Sequence, residues 1–178
     1  MLYRTRIISI LLLSFSLIAC KREKVKTKTT LDIYNQFTIN NKATFFYVPP
    51  GIVSLFLDES QKGNKELKDL LADVNELTFL ILNKPNEKSK DLQCLNELSG
   101  QLDSLDFTDL AQIKTSKEFI KVKVERKKRY FEELVVLVSN NDAMYCISFR
   151  GNIHPKKVVN LVKPENVVAV TNLDRFKQ

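Results

Sequence analysis

The apolar positions of this chain form one solid block and then break into short periodic runs. Residues 7–17 are mostly apolar, whereas residues 21–30 hold a single apolar side chain, Val25. So polar a stretch cannot bury enough surface to offset its chain entropy, and folding should begin near residue 31. Residues 31–41 read as a mixed approach segment with a helical turn around Ile33, Tyr34 and Phe37. Residues 43–48, Ala-Thr-Phe-Phe-Tyr-Val, are aromatic and β-branched and predict a strand that Pro49-Pro50-Gly51 ends. A short helix over 51–57 follows. Asn64 suits the N-cap of another, which carries Leu67, Leu70 and Leu71 on one face.

Residues 77–82 are a nearly continuous apolar run of strand length, stopped by Asn83-Lys84-Pro85. Over 89–105 the period is helical: Leu92, Leu95, Leu98, Leu102 and Leu105 recur at spacings of three and four. Gly100 within that helix costs about 1 kcal/mol relative to alanine. From Phe107 onward the period shortens towards two, predicting strands over 107–114, 119–125, 133–139 and 144–150. Ile120, Val122 and Val124 alternate with Lys121, Lys123 and Glu125, one set inward and one outward. The turns fall at 126–129 and at Asn140-Asn141-Asp142. Gly151 and Pro155 should break the sheet before a short helix around Val158 and Leu161. Consecutive strands without helical crossovers run antiparallel. The expectation is an α+β domain over 31–178: a single mixed, mostly antiparallel sheet with helices packed on one face.

The block before it has a different meaning. Arg4 and Arg6 precede an apolar run of signal-peptide length, too short for a comfortable spanning helix. Leu17-Ile18-Ala19-Cys20 then resembles a bacterial lipobox. The resemblance implies a lipoprotein signal peptide over 1–19, cleavage before Cys20, a diacylglycerol thioether on Cys20 and acylation of the new amine by a chain such as palmitate. Residues 20–30 become the lipidated cysteine and a basic tether, and the first partner is membrane lipid. Two or more acyl chains hold a protein stably on a bilayer, whereas one does so marginally. Lys21-Arg22-Glu23-Lys24 lacks the acidic pattern of surface-exported lipoproteins, which favours the periplasm-facing side of the cell envelope.

Charge follows the same division. Of the formal +7, two come from Arg4 and Arg6 and a net four from residues 21–30, five cations against Glu23. The body keeps +1, too little for a domain-wide nucleic-acid surface. Its one basic cluster is Lys121, Lys123, Arg126, Lys127, Lys128 and Arg129, beside Tyr130 and Phe131. A solvated strand face and turn account for it, and lipid head groups, an acidic glycan or an acidic envelope protein are the contacts it would suit.

Candidate chemistry is sparse. His154, the one histidine, precedes Pro155 at a helix start, so capping or simple exposure accounts for it. With Cys20 lipidated, Cys94 and Cys146 remain; an oxidising compartment permits a disulfide between them. Strand parity, with helices over the Tyr145 face, turns Cys146 away from Cys94. Two cysteines and one histidine far apart do not make a zinc site. Glu132-Glu133 and Asp103 with Asp106 read as surface charges. Four glycines are too few for phosphate-loop designs. The pattern implies no catalytic residue, no metal and no cofactor.

The lipobox, the Lys-rich spacer and the stretch from Glu133-Leu134-Val135-Val136-Leu137-Val138 through Met144 to Gly151-Asn152-Ile153 and the following helix resemble a family of small Bacteroidetes-type lipoproteins with a domain of unknown function. The resemblance spans most of residues 30–165 and implies no catalytic set. The leading expectation is a non-catalytic, lipid-anchored envelope protein that binds or supports an envelope component. A small periplasmic enzyme of hydrolase type is the competing class. An envelope sensor acting through the basic hairpin is the third.

Overall fold

The computed structural model describes residues 28–83, 88–140 and 143–173. In chain order the elements are α1 (Thr30–Asn41), β1 (Thr44–Val48), α2 (Pro50–Leu55), α3 (Asn64–Leu71), β2 (Val74–Asn83) and α4 (Lys88–Asp103). Then come β3 (Thr108–Lys114), β4 (Phe119–Lys127), β5 (Tyr130–Ser139), β6 (Ala143–Ile153), α5 (Pro155–Leu161) and α6 (Val168–Thr171). The strands form one six-stranded sheet in the order β1-β2-β6-β5-β4-β3. Every neighbouring pair is antiparallel. The α+β class and the single antiparallel sheet follow the sequence pattern.

The helices, however, cover both faces of the sheet. On the back, α2, α3, α5 and α6 bury Val53, Leu67, Leu70, Val158 and Val170 against Phe79, Val122, Val136, Tyr145 and Phe149. On the front, α1 and α4 bury Ile33, Tyr34, Phe37, Leu95, Leu98 and Leu102 against Leu80, Val135, Leu137, Met144 and Cys146. The physical reason lies in β5 and β6. Residues 134–138 and 143–149 are buried without interruption, the burial pattern of strands enclosed on two sides. Each fully buried Leu, Ile, Val or Phe contributes about 1.5–3 kcal/mol relative to exposure, so both layers matter to stability.

The segment before β1 is a full helix and not a loose approach. Thr29 accepts from the Asp32 backbone amide through its side chain, and Asp32 accepts from the Thr29 amide at 2.9 Å, a reciprocal cap. Lys42, left-handed at φ 54°, closes the helix and turns the chain into β1. Gly63, and not Asn64, caps α3; its φ of 81° suits glycine, and Asn64 instead donates to the Asp58 carbonyl at 2.8 Å. Gly151 does not break the sheet. It lies within β6, where the Asp73 carbonyl comes so close that a Cβ would sit 2.1 Å from it.

The strand directions gather several features at one end of the sheet. Val48, Val74, Ile153, Tyr130 and Lys127 all lie there, with the β4–β5 turn beyond them. The first turn of α1 reaches the same end through Thr30, which donates to Glu133 on β5. The described chain begins here at residue 28, and this is the tether end, so named for the tether expected over 20–30.

Candidate functional site

At the tether end the front face carries a row of charge. Glu76 on β2 pairs in register with Arg150 on β6, Arg150 with Glu133 on β5, and Glu133 with Glu125 on β4. Strand parity puts all four side chains on one face. Arg150 thus stands between two carboxylates, and Glu133 between a cation and an acid.

Glu133 is buried, with 1% of its side chain exposed. It persists there because four donors surround its carboxylate. Ser148 Oγ donates to Oε1 at 2.5 Å. Thr30 Oγ1 at 2.9 Å, Arg150 Nη2 at 2.8 Å and Arg150 Nε at 3.3 Å donate to Oε2. A buried charge so surrounded is stabilised, whereas an unpaired one would cost several kcal/mol. The network continues inward: the Cys146 thiol donates to Tyr34 Oη at 3.4 Å. Burial pushes the Cys146 thiol up to about 12, so it stays protonated. Burial also raises the Tyr34 phenol, helped by Cys146 and Glu133.

Beside this network opens a cleft of about 360 Å³ whose walls include Thr29, Ser104, Asp106, Glu125, Glu132 and Arg150. Burial, then the neighbouring charges of Glu132 and Glu133, hold the Glu125 carboxyl above its ordinary range. Among the described residues, no three His, Cys, Asp or Glu converge as a metal site.

One strand interval further along β4, the same face holds two lysines. Lys123 is buried, and its Nζ meets Asp103 Oδ1 of α4 and Asp109 Oδ1 of β3, each at 2.5 Å. Lys121 Nζ reaches Ser99 Oγ at 3.0 Å and Asp109 Oδ2 at 3.2 Å. Burial alone would lower the Lys123 pKa; the bonds to Asp103 and Asp109 outweigh it, and the ammonium is held above its usual value. Burial works in the opposite direction on Asp109, and its two lysines overcome that too and hold the carboxyl low.

The residues singled out in the sequence therefore separate. Lys121 and Lys123 turn inward and are engaged, because α4 covers the face that alternation alone leaves to solvent. Arg126, Lys127, Lys128 and Arg129 remain together and exposed, but the turn is only Lys128-Arg129, and Arg126 and Lys127 end β4. Lys127 pairs with Glu132 at 2.8 Å, and the Arg126 guanidinium lies 5.4 Å from the centre of the Phe131 ring. Cys94 and Cys146 are not joined in a disulfide. Cys146 lies beneath α1, on the face thought to turn away from helices, while the Cys94 thiol is 3.8 Å from Asn41 Oδ1. His154 does cap α5, its Nδ1 accepting from the Lys156 amide at 3.2 Å. Glu133 and Asp103 are parts of ion pairs and not simple surface charges. Cys20 lies outside the described residues.

A family model described as DUF4252, a domain of unknown function, matches residues 34–161. The chain belongs to this family. The DUF4252 match runs from within α1 to the end of α5 and so contains the whole sheet. It includes Tyr34, Glu133, Ser148 and Arg150 and stops short of Thr30, so the hydroxyl that ties α1 to the buried carboxylate lies just outside. No curated protein matches the chain.

Proposed function

We propose that this DUF4252 protein is a lipid-anchored protein of the bacterial cell envelope, periplasm-facing, that acts by binding an envelope component and not by catalysis. The observation that carries the anchor is Leu17-Ile18-Ala19-Cys20 with its basic leader and polar spacer. The capped first helix at Thr29 fits it, since the fold needs nothing N-terminal of that residue to close its first turn.

The binding reading is supported by what the chemically capable groups already do. Cys146 is a buried thiol held protonated, His154 caps a helix, Lys123 is clamped by two aspartates, and Glu133 is saturated with donors. None of these is poised as a nucleophile or base. What faces outward at the tether end is a cleft with Glu125 and Arg150 in its walls, suited to hold a polar group.

Intact-mass measurement on protein from the membrane fraction tests the anchor. The expected species starts at an acylated Cys20, and Cys20→Ser should leave an uncleaved precursor or a released protein. A soluble, unlipidated mature form would overturn it. For the cleft, a photo-crosslinker at Ser104 should capture a component that the same probe at Glu118 does not, and Arg150→Ala should reduce that capture. Equal capture from both positions would count against the cleft. Glu125, with its raised carboxyl in an open cleft, favours a second reading: a small hydrolase with Glu125 as general acid. Loss of a measurable hydrolytic activity in Glu125→Gln, with folding intact, would turn the argument that way.

A further inference from the structure

Resting on the anchor reading above, we propose that this end of the β4–β5 hairpin is a bilayer-contacting foot, in which Arg126 from the end of β4 and Lys128 and Arg129 from the turn engage the phosphate-bearing head groups of anionic lipids. Three observations lead there.

The first is position. Nine residue steps separate Cys20 from Thr29, and even fully extended they reach no further than about 30 Å. Thr30 is bonded to Glu133 at 2.9 Å. From Glu133, β5 runs back to the turn at Arg129 in four residues, roughly 13 Å at strand spacing. The turn therefore projects from the end at which an acylated Cys20 would hold the domain against the bilayer. The opposite turn, near Asn140, lies at the far end of the same strands.

The second is charge that the fold leaves unspent. Lys121 and Lys123 are consumed by Asp109 and Asp103, Arg150 by Glu133, and Lys157 by Asp69 and Asp73. Lys127 is offset by Glu132. Lys128 and Arg129 have no acidic partner among the described residues, and Arg126 has only the face of Phe131. Lys128 sits left-handed at φ 57°, so the turn is tight and its cations stand at the tip.

The third is the neighbouring aromatic residue. Tyr130 is 44% exposed and contacts His154 at a ring-centre distance of 6.2 Å. An amphipathic ring beside cations is the combination found at membrane–water boundaries. A cationic tip within a Debye length of an anionic surface is drawn to it, and the attraction is screened by salt.

The chain has no tryptophan, so Tyr130→Trp places a single indole beside the tip. The full-length acylated variant is reconstituted into vesicles carrying a head-group-level quencher, either phosphatidylglycerol-rich or purely phosphatidylcholine. Quenching should be about threefold stronger on the anionic vesicles at low salt and should fade at about 0.5 M salt, where the Debye length is only a few ångströms. Adding Lys128→Asn and Arg129→Ser, changes that leave the left-handed turn accessible, should bring it to the phosphatidylcholine level. Equal quenching on both vesicles from a protein proven acylated by intact mass would overturn this inference alone. Quenching that survives the double substitution, or that needs an added envelope protein, would overturn it as well, the latter pointing to a protein partner. A protein lacking acyl chains would remove the anchor reading and this inference together.

Discussion

Thr30 Oγ1 and Glu133 Oε2 lie 2.9 Å apart although 103 residues separate them in the chain. That bond fastens the first turn of α1 to a central strand, beside the point where the chain emerges from its N-terminal segment. Both residues are buried, Thr30 at 4% exposure and Glu133 at 1%.

Removing the carboxylate is therefore expected to be costly. Glu133→Ala strands the buried hydroxyls of Thr30 and Ser148 and leaves Arg150 to water, for a loss of about 3 kcal/mol. Thr30→Val removes one donor and should cost about 1 kcal/mol. Urea unfolding followed by circular dichroism measures both. Equal losses would mean that Glu133 matters only through Thr30.

The Lys123 clamp should be asymmetric. Lys123 is 1% exposed, while Asp103 and Asp109 are 54% and 52% exposed and can return to water. Lys123→Met keeps the volume, leaves no buried charge, and should cost at most about 1 kcal/mol. The double change Asp103→Ala with Asp109→Ala strands the ammonium and should cost about 3 kcal/mol. A larger loss from Lys123→Met would show that the aspartates depend on the lysine more than it depends on them.

Two glycines should respond in opposite directions to alanine. Gly100 faces open space in α4, so Gly100→Ala should stabilise by about 1 kcal/mol. At Gly151 the added methyl would collide with the Asp73 backbone carbonyl, so Gly151→Ala must displace the junction before β2. A loss of about 2 kcal/mol or more is expected there. Thermal melts of the two variants give the comparison directly.

These sites differ in how far the sequence could disclose them. The leucine spacing of α4 and the alternation of β4 were legible because each reports a local period. Helices lie on both faces and not on one, and Leu134 to Val138 carries the reason: it has no polar alternation, and an unbroken apolar run indicates two-sided burial. The Thr29-to-Asp32 cap was also in the sequence, as a hydroxyl followed three residues later by an acid. The Glu133 network was not, because it joins residues from α1, β5 and β6 whose proximity depends on strand order. Lys121 and Lys123 looked solvated for a related reason. Their concealment comes from α4 lying across β4, a packing choice that no local period encodes.

Glu125 should reveal the cleft through pH. Its carboxyl is raised, by burial first and then by Glu132 and Glu133, so the folded state binds its proton more tightly than the unfolded chain does. A carboxyl of this kind imposes no penalty when both states are protonated. The penalty grows as pH rises from the unfolded value, about 4.3 for Glu, through the raised folded one, and is then constant. Glu125→Gln should therefore raise the melting temperature at pH 7, and its advantage should vanish near pH 3.5. Asp109, held low, has the opposite sign: its contribution is present above the ordinary carboxylate range and is lost as pH falls through its depressed value. Asp109→Asn should thus be destabilising at pH 7 and close to neutral in strong acid. Crossed profiles for the two variants, measured in one buffer series, would distinguish an unfavourable half-buried carboxyl from a favourable paired one. Parallel profiles would remove Glu125 as the residue that marks the cleft.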